Sequence, residues 1–243
     1  MDRVEKIIAI SKDIGSPLSK SDRVLDLGCG AGNQVQRFCE LGYDCFGGDI
    51  NFKDGKYVSN LQEDHRILKI EMNPYKLAFP DNHFDFVFSD QVFEHVQDYD
   101  GTLQELSRVL KPDGWSMHIF PAQWRVLEAH IGTPFAGKIK NSSWIKLWAR
   151  LGLNRRNREV KDWQKVAELD YDYLISCTHY LRRTEIRESF EKNGFSIQHI
   201  EGNAMRYSKS ILVRAGRFMP MIPRAVSHFG ARVICAAIKN KRR

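Results

Sequence analysis

Two rhythms of apolar residues alternate over the first half of the chain. Val4, Ile7, Ile8 and Ile10 recur at helical spacing, so Met1–Ser11 predicts a short amphipathic helix. Val24–Leu27 has the length and character of a buried strand, and a helix over Asn33–Leu41 follows it, stopped by Gly42. Further strands are predicted at Asp44–Gly48, Arg66–Ile70 and Phe84–Ser89, the last ("FDFVFS") with apolar side chains on both faces. A helix at Leu103–Leu110 closes on the turn Lys111–Gly114, and Trp115–Phe120 supplies a fifth strand. Strands alternating with helices in this way point to a parallel sheet with right-handed crossovers.

The rhythm stops at Pro121. Residues 121–180 carry Trp124, Trp144, Trp148 and Trp163 among many arginines, without a strand–helix period, and are expected to form a cap that binds the acceptor. The pattern resumes at Thr184–Lys192, a helix with Thr184 as N-cap and Gly194 as its stop. Strands at Phe195–Ile200 and Ala231–Ile238 close the chain, and residues 203–230 between them read as a second insertion of helical period, broken by Pro220 and Pro223. No internal repeat or low-complexity linker divides the sequence, so residues 1–243 are expected to form one domain.

Candidate chemistry begins at "RVLDLGCGAGNQ", where Asp26 is followed by Gly28, Gly30 and Gly32. Three glycines at the mouth of a strand weaken regular structure unless something must approach the backbone closely. A dinucleotide site of the G-x-G-x-x-G kind would need glycine where this chain has Asn33. Downstream lie "FGGDIN", "EMNPYKLAFPDNHFDFVFS", "SDQVFEHVQDY" and "LQELSRVLKPDGW". Together these stretches resemble the class I S-adenosylmethionine-dependent methyltransferases, in the small-molecule branch that holds the ubiquinone-pathway and cyclopropane-forming enzymes. The resemblance covers Arg23–Phe120 and, more faintly, Thr178–Phe195.

That resemblance implies an α/β, Rossmann-like fold. Its sheet would have seven strands in the order 3-2-1-4-5-7-6, mostly parallel with the last antiparallel, helices on both faces and an inserted cap. It implies S-adenosyl-L-methionine as cofactor, held by Asp26, Gly28, Cys29, Gly30, Gly32 and Asn33 of the first turn. Asp49 would take both ribose hydroxyls, which suits a carboxylate with two accepting oxygens, and Ile50 would pack on the adenine. Met72 and Asn73, the latter where an aspartate is commoner, would lie at the adenine edge, with Ser89 and Gln91 at the end of the fourth strand. A Cβ at Gly28 or Gly30 is expected to collide with the methionyl end, whose carboxylate suits backbone N–H groups near a helix start.

A sulfonium donor is already activated, so placement of the acceptor is the main task, worth roughly 7–11 kcal/mol. A general base adds about 10²–10⁴-fold when the acceptor is a hydroxyl. His95, His130 and His179 are the candidates; each also has a plain structural reading, His95 as a helix-start residue bonded to a neighbouring backbone group. In ubiquinone-pathway relatives the block "SEVVEHV" is associated with a metal through two glutamates and the histidine. This chain keeps Glu94 and His95 but has Gln91 at the first glutamate, so no metal is expected. In cyclopropane-forming relatives the same glutamate belongs to a bicarbonate site whose remainder is not traceable here.

Charge changes the picture of the partners. Residues 1–120 carry 13 Lys or Arg against 20 Asp or Glu, and residues 121–243 carry 24 against 10. Arg155, Arg156, Arg158, Arg182 and Arg183 together suit a phosphate or carboxylate on the acceptor. Ile211, Ala215, Phe218 and Met219 flanked by Arg214 and Arg217, followed by Arg224 and "KNKRR", suit a segment lying on an anionic membrane or, equally, a helix covering the sheet. The early charges argue against a secretory leader, and no apolar run reaches the roughly 18–20 residues of a bilayer span. Five cysteines without C-x-x-C spacing fit reduced thiols, so a cytoplasmic protein with peripheral membrane contact is expected. The reading is a biosynthetic methyltransferase that O-methylates a small anionic acceptor: a glycan, a lipid-linked sugar or a secondary metabolite. The alternatives are a tRNA or RNA methyltransferase, although no RNA-binding module is legible, and a non-catalytic cofactor-binding protein.

Overall fold

Asp2 caps the first helix, α1 (Arg3–Asp13): its carboxylate accepts from Glu5 N–H while the Glu5 side chain accepts from Asp2 N–H. The computed structural model describes residues 1–209, 211–219, 221, 222, 225 and 231–238. After α1 come β1 (Arg23–Leu27), α2 (Asn33–Glu40), β2 (Asp44–Asp49), α3 (Val58–Glu63) and β3 (Ile67–Lys69). A small hairpin, β4 (Glu71–Met72) and β5 (Tyr75–Lys76), precedes β6 (Phe84–Asp90), α4 (Tyr99–Val109) and β7 (Leu110–Pro121). The cap holds α5 (Ser142–Arg150), a 3-10 turn at Arg155–Arg158 and α6 (Trp163–Cys177). The chain then runs through α7 (Arg183–Lys192), β8 (Phe195–His199), α8 (Glu201–Met205), α9 (Ile211–Gly216) and β9 (Ala231–Ile238).

The large sheet has the order β3-β2-β1-β6-β7-β9-β8, with β9 antiparallel to both neighbours and the other pairings parallel. Numbered by its own strands, that is the expected 3-2-1-4-5-7-6. β1 and β6 lie at its centre and bury both faces. Leu25 and Val87 pack on one side with Leu103, Leu106 and Phe190, and Val24, Phe86 and Phe88 on the other with Phe38 and Ile7. This double burial explains why both strands read as continuous apolar runs.

Several boundaries differ from the sequence reading. α4 begins at Tyr99 rather than Leu103, because the Asp98 carboxylate accepts from Gly101 N–H at 2.9 Å and caps it. β7 runs through Lys111–Gly114, the predicted turn, with a register irregularity against β6 between Phe84 and Phe86. α7 begins one residue before Thr184, so Thr184 is not its N-cap; Glu185 instead accepts from Arg182 N–H at 2.6 Å. The cap is more regular than its sequence suggests. α5 and α6 enclose a core of their own from Ile131, Ala136, Ile145, Ala149, Val166 and Leu174. Its tryptophans are packing residues: Trp144 Nε1 donates to Pro134 O at 2.9 Å, and its ring meets Trp148 edge-on at 5.7 Å. Of the second insertion, Ser210, Pro220, Pro223, Arg224 and 226–230 lie outside the described residues, as does the terminal 239–243.

Candidate active site

The chain leaves β1 through Gly28, Gly30 and Gly32, whose φ angles are +81°, +55° and +71°. A Cβ on Gly28 would lie 2.3 Å from Val92 Cγ2, whereas one on Gly30 would meet nothing nearer than Lys53 Cδ at 3.6 Å. The expectation that Gly28 stays bare for a ligand is therefore corrected: Val92, in the segment after β6, already fills that side, and Gly30 is the open position. The loop amides are also spoken for. Gly28 N–H and Cys29 N–H donate to Gly48 O at 2.7 and 3.2 Å, and Gly30 N–H donates to Asp49 Oδ2 at 2.7 Å. Asp49 Oδ1 accepts from Asn51 N–H at 3.0 Å. Its carboxylate is thus held in place at the end of β2 with lone pairs left for two hydroxyls.

Asp26 is 1% exposed, and neither carboxylate oxygen has a hydrogen-bond partner among the described residues. Burial first, then the charges of Asp90 and Asp49, raises its pKa well above the ordinary carboxylate range. A buried acid without a donor is costly, and a cationic ligand relieves that cost. Asp90, at the end of β6, is paired through Oδ2 with Arg3 of α1 at 2.5 Å, while its Oδ1 has no hydrogen-bond partner among the described residues. Three carboxylates around a bare loop fit a positively charged nucleoside: Asp49 for the ribose, Asp26 and Asp90 for an ammonium or sulfonium.

The remaining expected cofactor residues divide. Cys29 is buried, and a Cβ on Gly47 would come within 2.8 Å of its Sγ; burial raises its pKa, so it is a neutral packing thiol. Asn33 is exposed at the first residue of α2, and Ile50 is part-exposed beyond Asp49. Met72 is exposed on the β4–β5 hairpin, with Asn73 in its turn. Ser89 turns into the core, its Oγ 2.8 Å from His118 Nδ1. His118 is fully buried, its Nε2 2.9 Å from Ser116 Oγ, and desolvation lowers its pKa to about 3, so it is neutral and structural. Gln91 has φ +60° and donates N–H to Ile119 O at 2.8 Å, and its side chain lies near enough to the Asp90 carboxylate to offset part of the rise that burial gives its pKa.

From Gln91 the chain passes over Gly28 at Val92 and reaches a polar cluster beneath the cap. Glu94 is 1% exposed, and both its carboxylate oxygens lack a hydrogen bond among the described residues. Its Oε1 lies 3.9 Å from His95 Nε2 and 3.9 Å from His130 Nε2. Desolvation, reinforced by the charges of Asp90 and Glu128, pushes Glu94 up to about 8. His130 is shifted down, chiefly by desolvation. The two imidazoles meet edge-on at 4.9 Å, and Tyr173 of α6 stands 5.3 Å from His130.

Fixed groups hold this cluster. His95 N–H donates to Val92 O at 2.8 Å, and its Nδ1–H donates to Cys177 O at the end of α6. His130 and Ile131 N–H both donate to Glu128 Oε2 at 2.7 Å, and Tyr180 OH donates to Glu128 Oε1 at 2.6 Å. Arg125, half-buried in the cap, lies close enough for its charge to act on both Glu94 and His130. One carboxylate and two imidazoles can trade a proton; the same donors, within 4.8 Å of one another, are a set that could hold a transition-metal ion.

The structure therefore brings Glu94 and His95, already neighbours in the sequence, against His130 and adds Glu128, Arg125 and Tyr173, which sequence spacing did not join. His179 stands apart from the cluster. Its Nδ1–H donates to Val96 O at 2.8 Å and its N–H to Glu94 O at 2.6 Å, so it fastens the cap to the body. Of the five arginines expected to form an anion site, three already have partners within the protein. Arg156 pairs with buried Asp170 at 2.9 Å, Arg155 donates to Ala129 O at 2.6 Å, and Arg182 lies 3.7 Å from Glu185.

Comparison with known proteins agrees with this geometry. Residues 25–117 match the family model described as a methyltransferase domain. The chain is 28% identical over 184 residues to a demethylmenaquinone methyltransferase of Listeria welshimeri, covering 68% of this chain and 74% of that one. It is 26% identical over 188 residues to a ubiquinone biosynthesis O-methyltransferase of Pelagibacter ubique, covering 75% of this chain but only 65% of the relative. An S-adenosylmethionine-dependent methyltransferase structure from Mesorhizobium loti superposes with TM-score 0.56 at 16% identity, over 96% of this chain and 99% of that one, which establishes the fold. With its methyltransferase domain at residues 25–117 and a crevice suited to that cofactor, the chain is an S-adenosylmethionine-dependent methyltransferase.

Proposed function

We propose that the protein O-methylates a hydroxyl group of a small, anionic, lipid-borne acceptor lodged between the cap and the segment Gln91–His95. The Glu94–His95–His130 cluster carries this reading. It places a proton acceptor next to the acid-lined crevice, and Asp90 connects the two, since its charge acts on both Asp26 and Glu94.

Bound in the crevice, the cofactor supplies an activated methyl group. The chain's own residues do the rest. Cys177 O fixes the proton of His95 on Nδ1, which leaves Nε2 as the base. His95 Nε2 takes the proton of the acceptor hydroxyl, readying its oxygen for the methyl group that a cofactor held at Asp26 and Asp49 would supply. Glu94, neutral below its pKa of about 8, stabilises the imidazolium so formed once it ionises at alkaline pH, and Arg125 meets the acceptor's negative charge. Tyr173 and the cap close over the cluster and limit water. Relatives named for the menaquinone and ubiquinone pathways favour a lipid-borne acceptor over a free sugar. The test is incubation with methyl-labelled cofactor and fractionated native extract: label is expected in acidic, solvent-extractable lipid, and label confined to RNA or to water-soluble sugar would refute the assignment.

A further inference from the structure

We propose that the described residues between Arg206 and Met221, together with the start of α1, are a docking surface for an anionic lipid bilayer. It rests on the reading of a lipid-borne acceptor and names the surface from which that acceptor is drawn.

Four large apolar residues stand in the open there: Ile211, Phe218, Met219 and Met221 are 71, 76, 61 and 80% exposed. Such exposure within one short stretch is not the scattered apolar surface of an ordinary soluble face. The charged residues of that stretch of the sequence have one sign. Between Gly202 and Arg243 the sequence holds ten Lys or Arg and no Asp or Glu. Lys6, Arg206, Lys209 and Arg214 line a recess of about 360 Å³, and Arg206, Arg217 and Phe218 border a second of about 310 Å³. The acid at its edge, Asp13, is occupied by Arg206 and Tyr207 OH, each at 2.8 Å.

Apolar tips among basic residues match a bilayer whose headgroups carry negative charge. The side chains enter the acyl boundary while Lys and Arg stay at the level of the phosphates. No helix among the described residues is long and apolar enough to cross a membrane, so the contact is peripheral. Its position favours delivery to the active site. Lys6 of α1 borders the first recess, and Arg3, in the first turn of the same helix, pairs with Asp90 at the edge of the crevice. One helix thus touches both the lipid-facing surface and the reaction site.

The experiment is flotation of the full chain with phosphatidylcholine vesicles prepared with and without phosphatidylglycerol, beside calorimetry with S-adenosylhomocysteine. Binding is expected only to the anionic vesicles, and raising the salt should weaken it. The double variant Lys6→Glu/Lys209→Glu should bind at least about thirtyfold more weakly, and Phe218→Ser/Met221→Ser should lose binding at any salt. Both should keep wild-type affinity for S-adenosylhomocysteine. Equal binding to neutral and anionic vesicles, or no binding by a chain that still binds S-adenosylhomocysteine, overturns the surface and leaves the proposed reaction standing. A dimer that Phe218→Ser/Met221→Ser dissolves would assign the patch to a second copy and likewise overturn it. Label in water-soluble product only, with vesicle binding intact, overturns the acceptor reading and leaves the surface.

Discussion

His95 Nδ1 lies 2.6 Å from the carbonyl oxygen of Cys177, so the cap decides which nitrogen of the candidate base carries the proton. A carbonyl only accepts. The bond therefore places the hydrogen on Nδ1 and turns Nε2 towards Glu94, 3.9 Å away. His95→Ala is expected to lower turnover by about 10²-fold or more while S-adenosylhomocysteine binds with unchanged affinity by calorimetry. Wild-type turnover in that variant would remove His95 from the role.

Glu94 is held protonated at neutral pH by burial, with a pKa of about 8 against its usual 4.5. Between those values the folded state binds a proton that the unfolded state has released, so stability falls as pH rises across the window and the full cost is present above about 8. Glu94→Gln should therefore gain thermal stability relative to the parent as pH is raised from 5 to 9, by about 1 kcal/mol or more at the upper end. It should also lose the alkaline rise in kcat that ionised Glu94 gives. Melting curves that stay parallel across that range would count against the buried acid.

Asp26 makes opposite demands on the empty and the loaded protein. Asp26→Asn should weaken S-adenosylhomocysteine binding by tenfold or more, since a charged hydrogen bond contributes about 1.5–3 kcal/mol. The same change should raise the melting temperature without ligand, because an unpartnered buried carboxyl is relieved. A variant that binds normally would show that the ammonium lies elsewhere.

Gly28 and Gly30 should separate stability from binding. Alanine at Gly28 meets both φ +81° and Val92 Cγ2 at 2.3 Å, and should destabilise the fold by about 2–3 kcal/mol. At Gly30 the Cβ enters open space at φ +55°, so stability should fall by only about 1 kcal/mol while cofactor affinity falls further. Denaturant melts and calorimetry on both variants read the contrast.

Metal removal distinguishes proton transfer from metal catalysis at the Glu94–His95–His130 cluster. With Gln91 at the position where ubiquinone-pathway relatives have a glutamate, dialysis against a chelator should leave turnover within about twofold, too small a change for the loss of a catalytic ion. Activity lost on dialysis and restored by Mn²⁺ or Zn²⁺ would reassign the cluster to a metal ion.

The sheet and the glycine turn that follows β1 are legible in the sequence alone. Val24–Leu27 and Phe84–Ser89 are buried on both faces, and such strands declare themselves as apolar runs whatever surrounds them. The positive φ at Gly28, Gly30 and Gly32 is a local backbone demand, so it too is written locally. Asp49 follows from its place at the end of β2. What lay beyond reach was set across long separations in the chain. His95 and His130 are 35 positions apart, and no periodicity links them; they meet because α6 brings Cys177 O to one and buried Glu128 fixes the backbone of the other. Val92 against Gly28, Arg3 on Asp90 and the pairing of Arg156 with buried Asp170 were likewise decided by packing. Strand and turn are dictated by each residue's neighbours in the chain, whereas a site made of side chains from separate segments exists only once the core has fixed where those segments pass.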